Sequence, residues 1–118
     1  MARILVADDE DVLRMLIVDT LEDDGHEIEE AEDGTEALEK IESQFYDVVI
    51  LDYMMPGLTG MEVLKSLSDS VKENSKIVML TAKAQDQDRQ EALDAGASYF
   101  VAKPFSPSEL SMLVGDIV

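Results

Sequence analysis

Three runs along the chain are apolar at every position: Ile4-Leu5-Val6-Ala7, Val48-Val49-Ile50-Leu51 and Ile77-Val78-Met79-Leu80. Their brevity and branched composition predict strands buried on both faces, as in a parallel sheet. Residues 27–31 and 98–102 form two mixed runs, polar enough for edge strands with one flank in water. Helical spacing fills the intervals. The segment 11–24 stops at Gly25, which can cap a helix in the left-handed conformation, and 35–43 sets Ala37, Leu38 and Ile41 on one face. Met61, Val63, Leu64 and Leu67 stripe the segment 60–73, and 85–95 stops at Gly96. The segment 107–118 opens with Pro107 and repeats Leu110, Leu113, Val114 and Ile117.

Strand and helix thus alternate five times over short connections, which is the pattern of a doubly wound α/β sheet. Apolar strands belong in the centre and mixed ones at the edges. With right-handed crossovers this gives a five-stranded parallel sheet in the order 2-1-3-4-5, flanked by five helices. That arrangement is flavodoxin-like and places ligands at the switch between strands one and three. No linker or repeat interrupts the 118 residues, so a single domain over 1–118 is expected.

Composition narrows the chemistry. There is no cysteine, which removes disulfides, thiolate metal sites and cysteine catalysis. The apolar run before Asp8 is too short for a signal peptide, and no run reaches membrane-spanning length, so a cytoplasmic protein without membrane contact is expected. Nine basic and 27 acidic residues give a net charge of −18, and residues 1–33 alone carry −11. Such a surface repels phosphate backbones, and direct nucleic-acid binding is not expected. Most of the acids serve solubility. His26, in a turn after Gly25, is expected to be merely solvated.

The cluster at Asp8, Asp9, Glu10 and Asp11 differs because of its place. Strand one runs into Asp8 and Asp9, strand three into Asp52, strand four into Thr81 and strand five into Lys103-Pro104. In a parallel sheet these exits share one edge, so three acids, a hydroxyl and a lysine converge on one crevice. Close carboxylates repel by roughly 4 kcal/mol per pair at an effective dielectric near 20. Either their pKa values rise or cations sit among them. Lys103 supplies one positive charge, and an all-oxygen site points to Mg²⁺ as the second. Such a site can receive a phosphoryl group, with Asp52 as the attacking carboxylate.

The blocks Val-Ala-Asp8-Asp9-Glu10, Leu51-Asp52-Tyr-Met54-Met55-Pro56-Gly, Leu80-Thr81-Ala82 and Val-Ala-Lys103-Pro104-Phe105 resemble the receiver domain of bacterial two-component response regulators, of the chemotaxis-regulator-like kind. The resemblance covers the whole chain, with every block in order. It implies that Asp52 accepts a phosphoryl group from a sensor histidine kinase or histidine phosphotransfer protein. It also implies that Asp9, Asp52 and the Met54 carbonyl ligate Mg²⁺, with Asp8 acting directly or through water. Lys103 would pair with the phosphoryl group, and the Lys103–Pro104 peptide would be cis, as only a following proline readily allows. The domain would promote its own phosphorylation and dephosphorylation without turnover on foreign substrates.

In the switch that the resemblance implies, Thr81 moves inward and Phe100 fills the space, relaying the change to a downstream protein or effector. Phe100 stands where many relatives have tyrosine, so packing alone would carry the readout. Tyr99 should point to the opposite sheet face. Met15 and Val18 on the water side of the first helix, beside Arg14, Asp19 and Glu22, suggest a docking patch for the phosphodonor. Gly96-Ala97-Ser98-Tyr99 lacks the paired acids of dimerising DNA-binding relatives, and no basic residue follows Lys103, so a monomer is expected. Thr59 replaces a common Asp with only a loop effect expected. Met54 and Lys83 lie where relatives tune phosphoryl lifetime. An aspartyl phosphohydrolase is the alternative, but Met54 occupies the place of its second Asp, and 118 residues hold no capping domain. A receiver-like module without chemistry would not need the full acidic set.

Overall fold

The computed structural model describes residues 2–82 and 86–118; Lys83, and Gln85 at the start of an expected helix, lie outside the described residues. Five parallel strands form one sheet: β1 (Arg3–Ala7), β2 (Glu27–Ala31), β3 (Val48–Asp52), β4 (Lys76–Thr81) and β5 (Tyr99–Ala102). Their order is β2-β1-β3-β4-β5, as the placement of apolar and mixed runs predicts. Register is in step across the centre, with Val6 beside Ile50 and Ile50 beside Val78.

The helices are α1 (Asp11–Asp23), α2 (Gly34–Ser43), α3 (Gly60–Ser66), α4 (Asp69–Asn74), α5 (Asp86–Asp94) and α6 (Pro107–Ile117). Alternate residues of the central strands feed two cores. Leu5, Val49, Leu51, Ile77 and Met79 pack against Ala37, Ile41, Val63, Leu64 and Ala92 on the α2, α3 and α5 face. Ile4, Val6, Val48, Ile50, Val78 and Leu80 pack against Ile17, Val18, Leu21, Leu110 and Val114 of α1 and α6. Each fully buried aliphatic side chain contributes about 1.5–3 kcal/mol, so the apolar strands anchor both layers.

Among the described residues six helices stand where five were expected, because the segment 60–73 is broken. Leu67 is extended at φ −74°, ψ 145°, and Ser68 caps α4 by accepting the Val71 N–H at 3.3 Å. The apolar stripe ends at Leu67, and the Ser-Leu-Ser-Asp-Ser sequence favours a new cap over a continued helix. Helix α1 also differs from its expected face. Val18 is only 8% exposed and lies in the core, and Arg14 is 6% exposed. The water side instead carries Val12, Met15, Leu16 and Asp19. His26 is part-buried and accepts the Ala2 N–H at Nδ1, 3.1 Å, so it has a bonding role that its sequence context does not suggest.

Two glycines bear on the site. Gly25, at φ +93°, ends α1 in the conformation expected of it. At Gly60 a Cβ would meet the Asp52 carbonyl oxygen at 2.3 Å, so only glycine lets α3 begin against the end of β3.

Candidate functional site

The carboxyl ends of the strands gather the polar groups. Asp8 follows β1 and is fully buried; Asp52 ends β3 at 3% exposure; Thr81 ends β4 and is also buried. Lys103 follows β5, and its N–H donates to the Thr81 carbonyl at 2.7 Å. The Lys103–Pro104 peptide is cis. The backbone hydrogen bonds of neighbouring strands therefore fix where each side chain leaves the sheet.

Lys103 Nζ lies 3.2 Å from Asp52 Oδ1, 3.5 Å from Asp8 Oδ2 and 3.2 Å from Glu10 Oε1. Carboxylate oxygens of Asp8, Glu10 and Asp52 all come within 4.8 Å of one another. One ammonium thus faces three acids. Asp8 Oδ1 accepts the Glu10 N–H at 2.9 Å, which closes the turn into α1. Asp8 Oδ2 is buried and accepts no hydrogen bond among the described residues. A buried oxygen of that kind is costly unless another positive group reaches it.

Electrostatics follow from this crowding. Burial and then the neighbouring Asp8 charge push the Asp52 carboxyl up to about 7, against the opposing pull of Lys103. For Lys103, burial lowers the ammonium's pKa, but the charges of Asp52 and Asp8 and bonds to Asp52 and Glu10 more than reverse this, and the net shift is upward. Lysine therefore stays protonated while the central carboxyl is held near neutrality. A divalent cation would relieve the acids directly, and hard oxygen donors, one of them buried without a hydrogen bond among the described residues, fit Mg²⁺.

Of the expected site residues, the structure brings Asp8, Asp52, Thr81 and Lys103 to one edge. Asp9 is exposed and is not one of the close-packed trio. Met54, two residues after Asp52, has an exposed side chain at the rim. Phe100 is half-buried against the core on the Met79 side, in register beside that residue. Tyr99 is exposed. Of the docking pair, Met15 is exposed at 58% while Val18 is not available. A groove of about 350 Å³, lined by Glu10, Leu13, Ala82, Lys103, Pro104 and Phe105, opens beside the lysine.

Two residues at this edge escape the sequence reading. Glu10 joins the acidic trio from an exposed position, and its number in the cluster gives no hint of which acid reaches the lysine. Arg14 is buried behind Asp8, and here a signal was present: positions 14, 17, 18 and 21 share one helical face, and that face is the core.

The chain matches the family model of the response regulator receiver domain over residues 4–114. It is 41% identical over 112 residues to the transcriptional regulatory protein ResD of Bacillus subtilis (strain 168), covering 95% of this chain and 46% of that protein. Among solved structures it is similar to the chemotaxis response regulator CheY4 of Vibrio cholerae, with a TM-score of 0.92 and 36% identity over 100% of this chain and 99% of that one. It is also similar to the response regulator protein TrrA from Thermotoga maritima in complex with Mg(2+)-BeF, with a TM-score of 0.86 and 40% identity over the whole of both chains. The chain spans about half the length of the curated relatives it matches.

Proposed function

Since the chain belongs to the response regulator receiver domains, the phosphoacceptor switches of two-component systems, we propose that Asp52 is its phosphoacceptor and that residues 1–118 act as one receiver unit. The observation that carries this reading is the 3.2 Å approach of Lys103 Nζ to Asp52 Oδ1 at the carboxyl edge of the sheet. The donor is a phosphohistidine of a sensor kinase or phosphotransfer protein. An Asp52 oxygen attacks phosphorus in line; the new P–O bond forms as the P–N bond breaks, and the donor imidazole leaves with the bonding pair. Lys103 shifts from carboxylate to phosphoryl oxygen, and the Thr81 hydroxyl bonds another.

Asp52 must be ionised to attack, whereas burial holds its carboxyl near pH 7. Mg²⁺, when bound, supplies the charge that ionises the acids and neutralises phosphoryl oxygens. Asp9, Asp52 and the Met54 carbonyl would hold it, with Asp8 direct or through water and Glu10 beside them. Water attack on the acyl phosphate at the same site gives self-dephosphorylation. Thr81 and Phe100 relay the change to a downstream partner by packing. Met15, with Val12 and Leu16, and the apolar groove beside Lys103 form the donor's landing surface. This reading keeps the acidic domain off nucleic acid, as a cytoplasmic monomer.

Intact-mass measurement after incubation with a small phosphodonor and Mg²⁺ tests the assignment. Wild type should gain one phosphoryl group, and Asp52→Asn should gain none. Gain in the variant would move the acceptor elsewhere. No gain in a folded wild type would leave an interaction module, and steady release of phosphate from added monoesters would mark a hydrolase.

A further inference from the structure

We propose that Arg14 is a positioning residue of the acidic site: by clasping the Asp8 carbonyl together with Asp11 and Glu30, it holds the turn between β1 and α1 in the shape that takes up Mg²⁺. This rests on the phosphoacceptor reading and deepens it. An arginine on the core stripe of a helix is expensive unless its donors are matched. Here they are. Nη1 donates to the Asp8 carbonyl at 2.7 Å, Nε to Glu30 Oε1 at 3.0 Å and Nη2 to Asp11 Oδ1 at 2.8 Å, with Glu32 Oε1 3.6 Å away.

These partners come from three places: the exit of β1, the first turn of α1 and the end of β2. The planar fork of a guanidinium can serve all three at once; an ammonium cannot. Asp8 is then fixed through both of its backbone polar groups. Its N–H donates to the Ala31 carbonyl at 3.2 Å, and its carbonyl accepts from Arg14. Its carboxylate is left aimed at Lys103 and Asp52, with Oδ2 3.5 Å from Lys103 Nζ and accepting no hydrogen bond among the described residues.

Positioning and simple charge make opposite predictions. A guanidinium behind the site repels a divalent cation, so if charge were its whole influence, deleting it would tighten Mg²⁺ binding. If it positions Asp8, deleting it loosens binding. Calorimetric titration of Mg²⁺ into the full chain separates these for the wild type, Arg14→Met, Arg14→Lys and Arg3→Met. Arg3 is the matched control, an ion-paired arginine at the opposite edge of the sheet. Arg14→Met should lose about 10-fold in affinity, the scale of outer-shell changes at metal sites. Arg14→Lys should also bind more weakly than wild type, and Arg3→Met should bind as the wild type does. Unchanged or tighter binding in Arg14→Met overturns the inference, as does an equal loss in Arg3→Met. If Arg14→Met does not fold, wild-type affinity in Arg14→Lys overturns it instead. Absence of Mg²⁺ uptake by the wild type would bring down the phosphoacceptor reading itself, whatever Arg14 does.

Discussion

At the edge where the five strands begin, charged side chains are paired across neighbouring elements, although Arg3 Nε and the Tyr46 hydroxyl are buried without a hydrogen bond among the described residues. The Arg3 N–H donates to Asp47 Oδ2 and the Asp47 N–H donates back to the Arg3 carbonyl, each at 2.8 Å. The Arg3 guanidinium bonds Glu29 and Gln44 and lies over the Tyr46 ring, and the Ser75 hydroxyl donates to the Tyr46 carbonyl. At the edge where the strands end, Asp8, Glu10 and Asp52 share the ammonium of Lys103. The same sheet thus carries one rim where acids and bases are paired and one where three acids crowd a lysine. The first holds the fold closed; the second keeps electrostatic stress that a cation and a phosphoryl group can discharge. Function sits where like charges are crowded together.

The largest effect should come from removing the shared cation. Lys103→Met should slow phosphorylation of Asp52 by a small phosphodonor by about 100-fold or more, the scale of losing a preorganised charge at developing negative oxygens. A mass-spectrometric time course within threefold of wild type would remove Lys103 from the chemistry and blur the contrast between the rims.

The next test concerns the stress itself. In the metal-free protein the Asp52 carboxyl is raised from 3.8 to about 7 by burial and by Asp8. A raised folded-state pKa means that the contribution to stability is fully present below the unfolded value and is lost as pH rises through the folded one. Asparagine cannot ionise. Asp52→Asn should therefore match wild type near pH 4 and become more stable by on the order of 2 kcal/mol by pH 8. Added Mg²⁺ should narrow the gap by stabilising wild type more. Denaturant titrations across this range check both points, and a difference independent of pH would show the carboxylate to be at ease.

Much of the architecture was legible because the signals were local or cumulative. Three uninterrupted apolar runs and two mixed ones suffice for strand order, and strand exits in a parallel sheet must share an edge, so the sequence alone brings Asp52, Thr81 and Lys103 together. Contest between nearby signals hid the rest. A stripe through Met61, Val63, Leu64 and Leu67 argues for one long helix, but Ser68 offers a competing cap, and the chain takes it. The charge of Arg14 argues for the water side, although its position on the Ile17–Leu21 stripe is a core position; partners 16 and 18 residues further along, Glu30 and Glu32, make its burial possible. Among four consecutive acids, spacing alone cannot say which turn inward. The path of the turn decides that Asp8 is buried and that Glu10, though exposed, reaches Lys103, while Asp9 is exposed and outside the trio.

The smallest expected effect tests whether the rim where the strands begin is purely structural. Asp47→Ala removes the acceptor of the Arg3 N–H, leaving a part-buried donor to find water. The backbone bonds from Asp47 N–H to the Arg3 carbonyl and from Lys76 N–H to the Asp47 carbonyl persist in alanine. The cost should be about 1 kcal/mol, that of one hydrogen bond to a charged acceptor at a partly wet position. Five strand residues at roughly 3.3 Å each separate this rim from the acids at the other end. That distance exceeds the Debye length of about 8–10 Å in ordinary buffers, so loss of the Asp47 charge should barely reach the site. Urea unfolding should register the loss, while Mg²⁺ affinity and phosphorylation rate stay at wild-type values. A change in either alongside a loss this small would mean that the two rims communicate through the strands, and the division of labour between them would have to be abandoned.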